Sequence, residues 1–456
     1  MDDFQKELLR RSPLATSVLE LSDFMLEPAL LSDIFQEHRG RCYEDVLKFP
    51  DFVGLVRDAL MQHQGSGHQL FLELESENRH PIDESNFYRK LSHMPPELSE
   101  ALLRRGGQRL SSLMPDVVAT PACLKEFTVV VADGKKIKNA AKRLKLARKL
   151  SGKLIGATAL VGINARTGLA VAMSSDLDGM TNDVPLVPRL MEQLHQEISG
   201  PICSIWDRQF DNHRTLQSLC ARQGDTFVVR MNQGHRLEVE QSTQSLDSSR
   251  RVMEDQVVVM GRGKQAMRLR RIVLNRPGQE PIIILTNLMD AAKYPPEQLL
   301  ELYKMRWGIE QIFQQITQTF SLEHLIGSHP KAVLFQFSLC LLVYNLMQVV
   351  RAYVAEDGKV LTSAVSMYYL FGRTRQELCF WARHCQGCWD RMPPTDAPAM
   401  AARLRQLLKG SWDPIGLKKA ADKKPRGEPS PRQRLHGGYN SMQRALEGRA
   451  RLAEVK

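Results

Sequence analysis

The chain has 456 residues, 43% of them hydrophobic and 25% charged, a balance that excludes wholesale disorder; at roughly 150 residues per domain, about three structural units are expected. A chain of this length buries enough surface to fold without disulfides or a structural metal. Its 62 Lys plus Arg against 51 Asp plus Glu give a formal charge of +11, which favours a polyanionic partner, nucleic acid before membrane surface, without specifying a function.

The opening MDDFQKELLRRSP is acidic and mixed, without the apolar core of a secretory signal. Eight cysteines spread along the chain make no disulfide framework, so a reducing cytoplasm is the expected compartment. Residues 1 to about 110 read as helical, with apolar residues at helical spacing through Val46, Leu47, Phe52, Val53, Leu55, Val56, Ala59 and Leu60. A short helix around Phe87, Tyr88 and Leu91 is bracketed by His80-Pro81 and Pro95-Pro96. Its polar face offers Asn86, Arg89 and Lys90, as a DNA-reading helix would; a plain surface helix in a small bundle is the simpler expectation.

From residue 127 the pattern becomes strand-like. FTVVVADG is a β-branched run expected to end at Asp133 and Gly134. Nine Lys or Arg and no acid follow between residues 135 and 153, including Lys135, Lys136, Lys138, Lys142, Arg143 and Lys145. Such a run is usually a solvated face, but this density of like charge is self-repelling unless a polyanion lies against it, so DNA contact is expected. GATALVGI and LAVAMSS read as a hairpin through Asn164 to Gly168. A helix from Val184 to Glu197, the strand ICSIWD ending at Asp207, a helix from Asn212 to Gln223 and the strand DTFVVRM complete an α/β unit. Residues 231 to about 290 read as short strands with Gly and Pro turns. Within them Gly261-Arg262-Gly263-Lys264 lacks the spacing of a nucleotide-binding P-loop, so ATP dependence is not expected.

Helices then run from Pro295-Pro296 to about residue 408. The apolar stretch Ala332 to Val350 carries Gln336, Ser338, Asn345 and Gln348, which marks a buried helix rather than a membrane span. Cys379, His384, Cys385 and Cys388 contain one CxxC with no second, so reduced thiols are expected there rather than zinc. Residues 409–456 hold 12 Lys or Arg against 5 acids and read as a basic, mostly unstructured tail.

With so many carboxylates, placement decides. Asp133 and Asp207 each close an apolar strand, where open α/β sheets form ligand crevices. Neighbouring strands lie about 5 Å apart, so two such carboxylates can grip one hard cation such as Mg²⁺. In LYKMRWGIEQIFQQITQTF, Tyr303, Arg306 and Glu310 share one helix face, while Met305, Ile309, Ile312, Phe313 and Ile316 can pack on the sheet. An Arg one turn from a metal carboxylate can hold a phosphate oxygen.

These motifs resemble the DDE transposases of bacterial insertion sequences, in the insertion-sequence-four family. VVVADG is similar to that family's first-acid strand, IWDRQFDN to its second, and Tyr303, Arg306 and Glu310 to its Tyr-Arg-Glu signature. Thr317 stands where the signature has Lys, and no Trp lies between Trp206 and Trp307.

The resemblance implies an RNase H-like catalytic core over 125–230 and 295–350, interrupted by a β-rich insertion over 231–294. A helical DNA-binding domain would precede it over 1–115, with helices over 351–408 and the tail following. It implies Asp133, Asp207 and Glu310 as a metal-binding catalytic triad for Mg²⁺, with Mn²⁺ as a substitute, and Tyr303, Arg306, Arg208 and Arg230 as DNA contacts. The implied activity is binding of terminal inverted repeats and metal-dependent cleavage and strand transfer of double-stranded DNA, by a homodimer in a bacterial cytoplasm. A catalytically impaired DNA-binding derivative of such an enzyme is the alternative.

Overall fold

A computed structural model describes residues 7, 11–63, 65–78, 82–115, 121–138, 153–235, 237–318, 327–384, 394–417 and 439–449. The chain opens with helices α1 (Pro13–Met25), α2 (Pro28–His38), α3 (Phe49–Met61), α4 (Gly67–Ser76), α5 (Glu84–His93) and α6 (Pro96–Ser111). Proline begins α1, α2 and α6, where its fixed φ suits a first turn that needs no N–H donor. In α5, Lys90 donates to the Leu47 carbonyl and stands over the Phe35 and Phe52 rings. It is therefore committed to the bundle, whereas Asn86 and Arg89 are exposed.

The sheet begins with β1 (Thr128–Lys138), β2 (Lys153–Asn164) and β3 (Ala170–Asp176), followed by helix α7 (Val187–Glu197), β4 (Ile202–Trp206), helix α8 (His213–Leu219) and β5 (Thr226–Arg230). β2 runs antiparallel to β1 and β3, and β1, β4 and β5 run parallel. Alternation sorts the side chains. Val129, Val131, Cys203 and Ile205 enter the larger core with the helical bundle, while Val130, Ala132, Ile202 and Trp206 pack with Leu190, Leu194, Leu216 and Leu219 of α7 and α8.

The segment expected as a β-rich insertion is hydrogen-bonded to this sheet through β5. It forms β6 (Glu238–Leu246), β7 (Val252–Met260), β8 (Met267–Arg276) and β9 (Gln279–Thr286), an antiparallel meander whose last strand pairs with β5. β5 would otherwise be an open edge with unpaired backbone groups. Among the described residues the result is one ten-stranded sheet.

Helices α9 (Pro296–Lys304), α10 (Trp307–Gln318), α11 (Pro330–Asp357), α12 (Met367–His384) and α13 (Ala397–Leu408) follow. α11 is long and apolar enough to cross a membrane, but its apolar window is wholly buried inside the fold. Its polar residues explain why it sits there. Asn345 donates from Nδ2 to the Ala170 carbonyl and accepts the Ala170 N–H at Oδ1, each at 2.8 Å. Tyr344 Oη donates to the Gly168 carbonyl and Tyr353 Oη to that of Leu113. On its other side Phe335 meets Phe49 and Phe52, with ring centroids 6.1 and 5.5 Å away.

The basic tail, expected to be mostly unstructured, supplies β10 (Tyr439–Ser441), parallel to the start of β2, and the short helix α14 (Met442–Leu446). β3 covers β2 only from Thr158 onward, leaving Lys153–Ile155 for β10, and Arg444 locks the graft through Asp178 at 2.7 Å. Residues 418–438 lie outside the described residues, as do Cys385 and Cys388. Cys42, Cys123, Cys203, Cys220, Cys340 and Cys379 are unbridged thiols.

Candidate active site

Parallel pairing of β1 with β4 aligns Val131 with Ile205, and two residues further on the same register sets Asp133 beside Asp207. Both continue the alternation that faces the helical core. β1 does not stop at Asp133, as the sequence suggested; paired with β2 alone it continues to Lys138. Asp133 thus stands where β4 gives out and β1 runs on, at the lip of the sheet. Its Oδ1 accepts the Gly134 N–H at 2.9 Å.

Tyr303 and Glu310 lie on two helices rather than one. α9 ends at Lys304, and the chain tightens through Met305 and Arg306, with i→i−3 bonds from Arg306 N to Tyr303 O and from Gly308 N to Met305 O, before α10 begins. Ile309, Ile312, Phe313 and Ile316 are buried against the core, as their spacing predicted. The joint turns Arg306 inward with 6% of its side chain exposed. Its Nη1 is 2.9 Å from Glu310 Oε1 and 3.7 Å from Asp133 Oδ2, and its Nε is 3.9 Å from Asp207 Oδ1. Tyr303 Oη donates a long hydrogen bond, 3.4 Å, to Asp207 Oδ1. The three acids expected as a triad are therefore gathered around one guanidinium.

Burial pushes the Asp133 carboxyl up to about 6, and the charges of Asp207 and Glu310 add to this; the Gly134 N–H and Arg306 work against it. Burial likewise raises Tyr303. In Arg306 burial opposes the charge, but Tyr303, Asp207 and Glu310 outweigh it and raise the guanidinium above its ordinary value. As hard oxygen donors the carboxylates belong to the class that Mg²⁺ takes. Among the described residues, however, no three His, Cys, Asp or Glu side chains converge closely enough to bracket an ion; the guanidinium is their shared cation.

Arg208 is exposed beside Asp207, and Arg230 reaches Glu280 at 3.5 Å. Lys135 lies over the Phe313 ring and Lys138 over that of Tyr439. Lys136 donates to Thr158 Oγ1 and to the Thr181 carbonyl and pairs with Asp183 at 3.3 Å. Lys142, Arg143 and Lys145 lie outside the described residues, as does the Thr317 side chain. Asp183 was missed in the sequence. It precedes a short 3₁₀ turn and reads as a helix cap, yet it makes no cap bond; it accepts from Gln209 Nε2 and fills the space over Gly134, where an added Cβ would fall 2.1 Å from its Oδ2.

Residues 125–346, which contain all three acids, match the family model of the transposase DDE domain. A Sinorhizobium fredii protein named "Putative transposase y4zB" is 32% identical over 89 residues, 20% of this chain and 24% of that protein, so the match spans about a quarter of that relative's length. Among solved structures, a piggyBac transposase synaptic complex with hairpin DNA aligns over 90% of this chain and 88% of that chain, with a TM-score of 0.41 and 11% identity. Within the matched segment, Asp133, Asp207 and Glu310 come from β1, from the end of β4 and from α10.

Proposed function

We propose that this chain is a DNA transposase of the insertion-sequence-four type, acting on the terminal inverted repeats of its element by cleavage and strand transfer, as a dimer because two ends must be joined. The observation that carries the reading is the β1–β4 register, which sets Asp133 beside Asp207 on the face where Glu310 arrives. The strand order β3-β2-β1-β4-β5, with only β2 reversed against its neighbours, supports an RNase H-like core.

Asp133, Asp207 and Glu310 would hold Mg²⁺ or Mn²⁺, which supplies polarisation of the phosphate and of the attacking and leaving oxygens. The chain's own residues do the positioning. The Gly134 N–H fixes one Asp133 oxygen, and Tyr303 Oη steadies Asp207. A DNA phosphate competes with the carboxylates for Arg306, whose planar fork suits it.

The test uses labelled duplex carrying the inverted repeats that flank the gene, incubated with wild type or Glu310→Gln in Mg²⁺ or chelator. Cleavage at the repeat boundary by wild type with metal alone is expected, and Asp133→Asn and Asp207→Asn should bind without cutting. Binding without cleavage by wild type would instead identify a non-catalytic derivative. Undiminished cleavage by a variant removes that residue from the triad.

A further inference from the structure

The glycine-flanked segment Gly261-Arg262-Gly263-Lys264, which fits no nucleotide loop, forms the β7–β8 turn, and the fold docks that turn on the start of α8, six residues after Asp207. His213, the first residue of α8, donates from Nε2 to the Gln265 carbonyl at 2.6 Å. A Cβ at Gly261, whose φ is +89°, would stand 3.0 Å from that same nitrogen, so only glycine lets the turn close on α8. Asn232 ties the base of the meander to the segment after Asp207: its Nδ2 donates to the Arg208 carbonyl at 2.9 Å and its N–H to Asp211 Oδ2 at 2.6 Å.

The consequence is a gathering of cations. Arg208, Arg214, Arg262 and Lys264 are all exposed, and none is ion-paired among the described residues. The acid among them, Asp211, is already satisfied by Asn232 and by His235 at 2.9 Å. Arg208 follows Asp207 directly, and Arg214, Arg262 and Lys264 flank the contact between His213 and the turn; four such unneutralised cations make a surface for a polyanion. Long flexible side chains without base-reading partners suit phosphates rather than base edges.

We propose that the β7–β8 turn, with Arg208 and Arg214, is a second grip on the duplex backbone, holding the strand that leaves the Asp207 side of the site. This rests on the reading of the chain as a DNA-acting enzyme and adds an element to it, the turn of the meander. Because the contacts are to phosphate, a fluorescent duplex of random sequence is a sufficient probe, used with the full chain in the absence of divalent metal.

Each phosphate contact contributes roughly 0.9 to the slope of log K against log salt. Arg262→Gln with Lys264→Gln should therefore flatten the slope by about 2 and weaken binding at low salt. Arg208→Gln with Arg214→Gln should do the same from a different element. The control is Arg250→Asn with Lys359→Asn, an equal loss of charge at two exposed positions of positive φ that asparagine tolerates; it should leave the slope unchanged. A wild type that binds with both test pairs matching it, or with the control flattening the slope equally, overturns the grip and leaves the transposase reading standing. A wild type that binds no duplex at low salt overturns that reading and the grip together.

Discussion

Arg306 neutralises three acids at once, and the geometry says how unequally. The 2.9 Å contact is with Glu310, whose side chain is 49% exposed, and an exposed pair of this kind contributes little. Asp133 and Asp207, at 16% and 31% exposure, depend on it more. Arg306→Ala is expected to destabilise the fold by about 1–2 kcal/mol in chemical denaturation, and Arg306→Lys to recover only part, because a point charge cannot span the three positions of a planar fork. A buried carboxylate outside the site gives a pH signature. Glu100 accepts from Ser175 Oγ and N–H at 2.6 and 2.9 Å and from Gln193 at 2.7 Å, and pairs with Arg189 at 2.7 Å, yet burial outweighs these and raises it to about 7. A carboxyl raised on folding gives its full stabilisation below about pH 4.5, and that contribution is lost as pH rises through 7. Relative to wild type, Glu100→Gln should therefore gain stability between pH 5 and 8, by at most about 3 kcal/mol; a pH-independent difference in urea midpoints would refute this. Asp207 was legible as the close of an apolar strand, whereas Asp133 and Glu310 reach it by routes the sequence did not show, β1 running on past Asp133 and a joint parting Tyr303 from Glu310. Asp183 was not legible, because its partners Lys136 and Gln209 lie 47 and 26 residues away and only the fold joins them.

Among the elements, two helices converge on the first residue of β3. Asn345 of α11 brackets the Ala170 backbone, and Gly107 of α6 comes so close that an added Cβ would stand 2.8 Å from the Ala170 carbonyl oxygen. Asn345→Ala leaves two buried backbone groups unpaired and should cost about 2–4 kcal/mol. Gly107→Ala, which must push α6 off the strand, should cost about 1–3 kcal/mol, and both are measurable as denaturation midpoints. The sequence showed that α11 is apolar and that its polar interruptions mark it as buried, but not that those residues would cap strand β3, since a hydrogen-bond partner 175 positions away leaves no local trace. The same limit hid the joint at Arg306: the apolar spacing from Met305 to Ile316 runs smoothly through it, and only the i→i−3 bonds of the folded chain reveal two helices.

At the scale of the molecule, the sheet joins everything. The meander was legible as strands, from its alternating pattern and Gly and Pro turns, but its attachment to β5 was not, because pairing partners are not encoded locally. The tail's composition spoke for disorder; within it the short stretch from Tyr439 to Leu446 uses one free edge of β2, and residues 418–438 lie outside the described residues. Removing residues 439–456 should deprotect the amides of Lys153–Ile155 in hydrogen exchange and lower the melting temperature. Unchanged protection there would mean that the graft is not maintained in solution.

The burial of α11 also has a meaning in time. The helices α1 to α6 are synthesised first, yet Phe49 and Phe52 meet their partner Phe335 only after some 280 further residues have been made. Until then the nascent amino-terminal quarter carries an unfilled apolar face, a state in which growing chains become clients of chaperones. A gene interrupted before residue 327 should yield not a small folded fragment but an insoluble one, even though such a fragment can still contain Glu310. Fractionation of a fragment covering residues 1–326 into pellet and supernatant decides this, and a soluble, monomeric fragment would refute it.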